Sequence, residues 1–264
     1  MKTLIVLLAC LFSASSSLAA GRFTHWLSQY NPTPSLQARD IFVYLPDGHE
    51  KNKVALPVIY MHDGQNLFDP TRAYMGQTWE VEKTLNRLIA NKVIPPVIVV
   101  AIDNTSERLS EYTPTIDRQY GGGHADSYLQ MITQHLIPKV EATFITNGMR
   151  ALIGSSLGGL VSLYAIHKYP TMFSKVAALS PSLWWDDKEI LNILTNSKFF
   201  PDRLWIDGGS LEENLPVHMK ELEQLLQKKL PKERYKIVIQ TGGTHSEKFW
   251  AMRFPYVLHY LLRD

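Results

Sequence analysis

The chain has 264 residues, 45% of them hydrophobic, and carries 27 Lys and Arg against 25 Asp and Glu, a formal net charge of +2. That near-neutral balance, without basic blocks, argues against nucleic acid as a partner. The length suits one sizeable α/β core, and no repeat, low-complexity linker or charge run marks an internal boundary.

The amino terminus opens with Lys2, continues through an apolar stretch from Leu4 to Phe12, and ends in the small-residue run Ser17-Leu18-Ala19-Ala20. This pattern predicts a secretory signal peptide over residues 1–20, cleaved near Ala19 or Ala20, because the apolar run is too short to span a bilayer. Residues 21–264 are then a single exported domain, periplasmic or secreted, with no transmembrane segment. Leu7-Leu8-Ala9-Cys10 resembles a lipoprotein box but comes too early for a hydrophobic segment to precede it, so lipid anchoring through Cys10 is not expected. Cys10 is the only cysteine. Its removal excludes disulfides, thiolate metal sites and a cysteine nucleophile from the mature protein.

Ile41–Leu45 and Val54–Met61 read as strands, the second ending at His62-Asp63-Gly64-Gln65. Trp79–Asn91 places Val81, Leu85, Leu88 and Ile89 at helical spacing, and Val97–Ile102 is a continuous apolar run rich in β-branched residues, as expected of a strand buried on both faces. After a polar stretch from Asp103 to Gly123, a long helix is predicted over Ala125–Phe144 with a kink at Pro138. The strand through Ala151–Ile153, then Lys175–Leu179, Arg203–Ile206 and Tyr235–Gln240, alternate with helical stretches around Asp187–Leu194, Val217–Gln227 and from Glu247. Such alternation predicts a largely parallel sheet with helices on both faces, its functional loops beyond the carboxyl ends of the strands.

Gly154-Ser155-Ser156-Leu157-Gly158 fits the G-x-S-x-G nucleophile elbow, with a strand before it and an amphipathic segment after it. The chain must turn sharply there, so near-absent side chains flank an exposed central serine. The amide of Leu157, at the positive end of the following helix, lies where an oxyanion would form. Ser156 needs a histidine to take its proton and an acid to orient that histidine.

Of the histidines well beyond it, His218 falls in a surface helix and His259 inside the last helix. His245 stands in a loop between the last strand and the last helix, and is the expected base. Glu212 is the favoured acid, with Asp207 at the preceding strand end as the alternative. A second oxyanion donor is expected from the Gln65 amide, with Gly64 allowing the turn, and His62 is assigned to loop support.

These pieces, together with Arg108, Glu111-Tyr112-Thr113-Pro114, Ser180-Pro181-Ser182-Leu183-Trp184-Trp185 and Gly209-Ser210-Leu211-Glu212, resemble the esterase family of the α/β-hydrolase superfamily. That family includes enterobactin-type siderophore esterases, feruloyl and acetylxylan esterases, and esterase D. The resemblance spans nearly the whole mature chain and implies an α/β-hydrolase fold. It places the nucleophile on Ser156, the acid on Glu212, the base on His245, and the oxyanion amides on Gln65 and Leu157.

Tyr112, Trp184, Trp185 and Trp250 are candidate linings for an acyl pocket. Arg108 is a candidate contact for an anionic or polyhydroxylated group, against the plainer reading of an ion pair with Glu111. Gly121-Gly122-Gly123-His124 reads as a mobile loop beside the site, not a phosphate cradle. No His/Asp ligand spacing appears, so neither metal nor cofactor is expected. The expected activity is hydrolysis of a siderophore ester or a carbohydrate-linked acyl ester through an acyl-enzyme. Acyl transfer on the same fold, or an inactive siderophore or glycan binder, are the rival readings.

Overall fold

The structure is a computed structural model that describes residues 20–49 and 53–263. Residues 1–19 of the predicted signal peptide, Cys10 among them, lie outside the described residues. Ten strands form among the described residues: β1 Arg22–Tyr30, β2 Arg39–Leu45, β3 Leu56–Met61, β4 Ile98–Ile102, β5 Ile116–Asp117, β6 Gly121–Gly122, β7 Thr146–Ser155, β8 Lys175–Leu179, β9 Arg203–Gly209 and β10 Tyr235–Gln240. Eight of them build one sheet in the order β1-β2-β4-β3-β7-β8-β9-β10. β1 and β2 are antiparallel to their neighbours, and every pairing from β4 to β10 is parallel.

Successive residues of a strand point to opposite faces, so the apolar runs feed two cores. Val58, Tyr60, Val100, Leu152 and Ile206 enter the core on one face. Ile59, Met61, Val99, Ile153 and Trp205 enter the other. The second core is closed by α1 Val81–Ala90 and, at the carboxyl end of the chain, Glu247–Leu262. The first is closed by α2 Ala125–Gln130, α3 Ile137–Thr143 and α4 Leu157–Lys168, followed by α5 Trp185–Thr195 and α6 Leu215–Lys229; Glu247–Leu262 is therefore α7. Each fully buried aliphatic side chain contributes about 1.5–3 kcal/mol of transfer free energy, and all five residues of β4 are buried.

The helix predicted over Ala125–Phe144 runs without a break from Ala125 to Thr143, Phe144 being extended, but its middle turn, Met131–Leu136, is π-helical. Pro138 follows at the first turn of α3, where its missing N–H is absorbed by the widened turn. Another departure is Asp186-Asp187-Lys188, all left-handed, before α5 settles into regular helix.

The carboxyl ends of β3, β7, β8, β9 and β10 share one edge of the sheet. At β7 the chain reverses into α4 through Ser156 at φ 56°, ψ −124°. A non-glycine residue in that region costs about 1–3 kcal/mol unless its surroundings hold it there. Here the Ser156 amide donates to the Leu179 carbonyl at 3.0 Å, and the Ser182 amide donates to the Ser156 carbonyl at 3.0 Å. The turn is so tight that a Cβ on Gly154 would lie 2.4 Å from the Gly158 oxygen and 2.7 Å from His62 Cδ2.

His62, at the tip of β3, packs under that turn. Its amide donates to the Ile153 carbonyl at 3.1 Å, and its Nδ1 is hydrogen-bonded to the Tyr128 hydroxyl at 2.7 Å. Burial lowers its pKa to about 3, against the pull of Asp63. The unfolded chain therefore takes up the proton first, near the ordinary 6.5. The stability supplied by the neutral imidazole is complete above that value and drains away as the pH falls towards about 3. In pH-dependent urea unfolding, His62→Gln is expected to flatten the loss of stability between those limits, by on the order of a few kcal/mol at the acid end. Equal slopes in both proteins would show that His62 is not the group that titrates.

Candidate active site

Glu212 and His245 come together from neighbouring loops. His245 Nδ1 lies 2.7 Å from Glu212 Oε2, so an ionised carboxylate requires the proton on Nδ1 and leaves Nε2 as the acceptor. The other carboxylate oxygen, Oε1, accepts the Ser180 hydroxyl at 2.6 Å and the Gly209 amide at 2.7 Å. Burial opposes ionisation of Glu212, but His245, Ser180 and Gly209 together hold its pKa below the usual glutamate range. His245 is itself half-exposed, with Trp250 edge-on to its ring at 5.0 Å.

Asp207, the alternative acid, sits elsewhere. It is fully buried, takes the Trp205 indole N–H at 2.7 Å, and pairs with Arg253 at 2.8 Å. Burial pushes its carboxyl up to about 6 despite Arg253. No contact joins it to His245: it anchors Arg253, which in turn donates to the Ser180 hydroxyl at 2.8 Å.

Ser156 and His245 line one cleft of about 560 Å³, together with Gln65, Arg108, Glu247 and Trp250. The Ser156 hydroxyl lies 3.4 Å from that of Ser182. Leu157 opens α4 and Gln65 sits in the first turn of the short 3₁₀ helix Gly64–Asn66. Amides at such positions have no intrahelical acceptor. A wider groove of about 1060 Å³, between Phe68 and Tyr256, contains neither Ser156 nor His245.

The loop that carries Gln65 is held by charge. Asp63, left-handed at φ 56°, takes a bidentate pair from Arg108 at 2.6 and 2.8 Å and the Asn104 side-chain amide at 2.5 Å. Burial works against its ionisation, yet Arg108 and Asn104 keep its pKa below the ordinary aspartate value. The Asn104 backbone N–H also donates to Gln65 Oε1 at 3.1 Å. Arg108 therefore does not pair with Glu111, which is buried against Arg39 at 2.6 Å. It reaches the cleft while holding Asp63.

The aromatic expectations need correction. Tyr112 is fully buried beneath the loop, where its hydroxyl accepts the Asp63 amide at 3.3 Å and the Tyr128 hydroxyl at 3.4 Å. Trp185 is also buried and donates to the Thr115 carbonyl at 3.1 Å. Trp184 is half-exposed, edge-on to Tyr120 at 5.7 Å, outside the cleft lining. Trp250 alone of the four aromatics lines the cleft. Gly121–Gly122 is not a loose loop either: it pairs with β5. Gly123 donates to Thr113 at 3.0 Å, and a Cβ on Gly122 would fall 2.8 Å from Trp185.

Arg72, Tyr74, Asn104 and Glu247 also line the cleft, unforeseen from the sequence. The segment carrying Arg72 and Tyr74 has no period to mark it. Arg72 pairs with Asp103, which burial raises to about 6. Among the described residues no group of three or more His, Cys, Asp or Glu is arranged to hold a metal ion, and no helix is long and apolar enough to cross a membrane.

Comparison with known proteins agrees with this architecture. The family model described as "Putative esterase" matches residues 36–261. The chain is similar to the uncharacterized protein YbbA of Bacillus subtilis (strain 168), at 27% identity over 84% of this chain and 92% of that protein. It is similar to the siderophore triacetylfusarinine C esterase of Aspergillus fumigatus at 31% identity, over 63% of this chain and 60% of that protein. Among solved structures, the siderophore hydrolase EstB of Aspergillus nidulans superposes with a TM-score of 0.71 at 22% identity, covering 93% of this chain and 98% of that one, which speaks for a shared fold. The family match spans most of the chain, so the protein belongs to the Putative esterase family and is an esterase of α/β-hydrolase fold.

Proposed function

We propose that the protein is an exported serine esterase that hydrolyses a polar carboxylic ester, a siderophore ester foremost, through an acyl-enzyme. The observation that carries this reading is the 2.7 Å contact of His245 Nδ1 with Glu212, beside a serine held at φ 56° in the same cleft. Ser156 Oγ attacks the ester carbonyl while His245 Nε2 takes its proton. Glu212 holds the imidazole and stabilises its positive charge. The amides of Gln65 and Leu157 donate to the oxyanion, each worth about 3–4 kcal/mol in the transition state. Collapse returns the proton to the departing alcohol and leaves the acyl group on Ser156. Water, deprotonated by His245, then releases the acid and restores the serine.

Support for the substrate class comes from the cleft and from the relatives. Its lining includes Arg108, Asn104, Asn66 and Glu247 and no aliphatic side chain, which suits hydroxyl- and amide-rich esters better than long acyl chains. A siderophore esterase of Aspergillus fumigatus is among the similar proteins. A carbohydrate-linked acyl ester has the same polar character and is the second substrate to test. Export rests on the charged, apolar and small-residue pattern of residues 1–20.

Rapid mixing with p-nitrophenyl acetate is expected to release a burst of about one equivalent of p-nitrophenolate before steady turnover, and none from Ser156→Ala. Steady release from the wild type without a burst, together with full activity in Ser156→Ala, would contradict the acyl-enzyme. Glu212→Gln is expected to lower kcat by about 10⁴-fold with the fold intact. Asp207→Asn is expected instead to lower the melting temperature, because it leaves Arg253 buried without its counter-charge. The reverse pattern would move the acid to Asp207. In a panel of enterobactin, a feruloyl sugar ester and p-nitrophenyl palmitate, the palmitate is expected to have the lowest kcat/KM.

A further inference from the structure

Ser180 stands at the end of β8, between the acid loop and α7, in the left-handed region at φ 45°. Its amide donates to the Asp207 carbonyl at 2.7 Å, which fixes the backbone there. A hydroxyl has one proton to donate and two lone pairs to accept with. The Trp250 indole N–H donates to Ser180 Oγ at 3.0 Å and the Arg253 guanidinium at 2.8 Å. Both groups are donors only, and together they fill both lone pairs. The Ser180 proton is thereby left a single direction, towards Glu212 Oε1 at 2.6 Å.

We propose that Ser180 is the positioning residue of the catalytic acid. Its hydroxyl, polarised by Arg253 and Trp250, fixes the Glu212 carboxylate as an acceptor and aims Oε2 at His245. This rests on the esterase reading of Ser156, Glu212 and His245. Two distinct arms of the fold meet at Ser180. Arg253 is held by Asp207 of β9 at 2.8 Å and by the Gln240 side-chain oxygen of β10 at 2.9 Å. Trp250, one α7 turn earlier, supplies the second donor while its ring packs edge-on against His245. Without the Ser180 hydroxyl only the Gly209 amide would hold Oε1, and the carboxylate would gain freedom to turn away from the imidazole; the two donors together pin it.

The test uses the full-length mature chain in three forms: wild type, Ser180→Ala and Ser180→Gly. Glycine is at ease at positive φ, so Ser180→Gly removes the hydroxyl without adding strain and keeps the test readable if the alanine variant does not fold. The first readout is the downfield proton resonance of the His245 imidazole N–H, assigned by its loss in His245→Gln. In the folded Ser180 variants it is expected to move upfield or to broaden through exchange. The second is the split of kinetic constants on p-nitrophenyl acetate: kcat is expected to fall about 10–100-fold, by analogy with the loss when a hydrogen-bond partner of a metal-binding side chain is removed, with KM unchanged. A folded Ser180 variant that keeps the wild-type resonance and the wild-type kcat would overturn the proposal. A wild type that has no such resonance and no esterase activity would instead overturn the catalytic reading on which it rests.

Discussion

The backbone of Ser156 is the constraint around which the other parts are placed. Its φ of 56° is tolerable only because hydrogen bonds from both sides, to Leu179 and from Ser182, tie it to the end of β8. The same turn brings Gly158 so close to Gly154 that no side chain fits between them. Under it lies the neutral His62, and over His62 the loop of Asp63, Gly64 and Gln65. The loop after β3 and the start of α4 are thereby locked to one another, and with them the free amides at Gln65 and Leu157.

A second constraint is the separation of two buried carboxylates. Asp207 and Glu212 are five positions apart, yet burial pushes one up to about 6 while its donors hold the other below the glutamate range. Glu212 receives a hydroxyl, an amide and the imidazole, whereas Asp207 faces an indole N–H and a guanidinium. Environments that differ in this way assign different roles to chemically similar groups. Asp207 organises Arg253, and Arg253 organises Ser180, so the support reaches Glu212 from the interior of the sheet outward.

Much of this arrangement was legible in the sequence because it follows from local pattern. The β-branched run Val97–Ile102 announces a doubly buried strand, and Lys175–Leu179 and Tyr235–Gln240 match β8 and β10 residue for residue. Gly154 and Gly158 mark the elbow for a steric reason that sequence alone can state. β1 was not legible: as an edge strand, it buries few side chains and its pairing is broken by bulges, so no apolar period survives. Tyr112 and Trp185 were misread as pocket walls because an aromatic beside a site can be either wall or support, and only tertiary packing decides. The Asp63–Arg108 pair joins positions 45 apart in the chain and leaves no local trace.

The central claim is that Ser156 is the activated nucleophile. Labelling the purified protein with a fluorophosphonate probe, followed by peptide mapping, tests it most directly. The account predicts one adduct, on Ser156, abolished by Ser156→Ala and strongly slowed by His245→Gln. A well-folded protein that takes no label, or takes it on another serine, would contradict it.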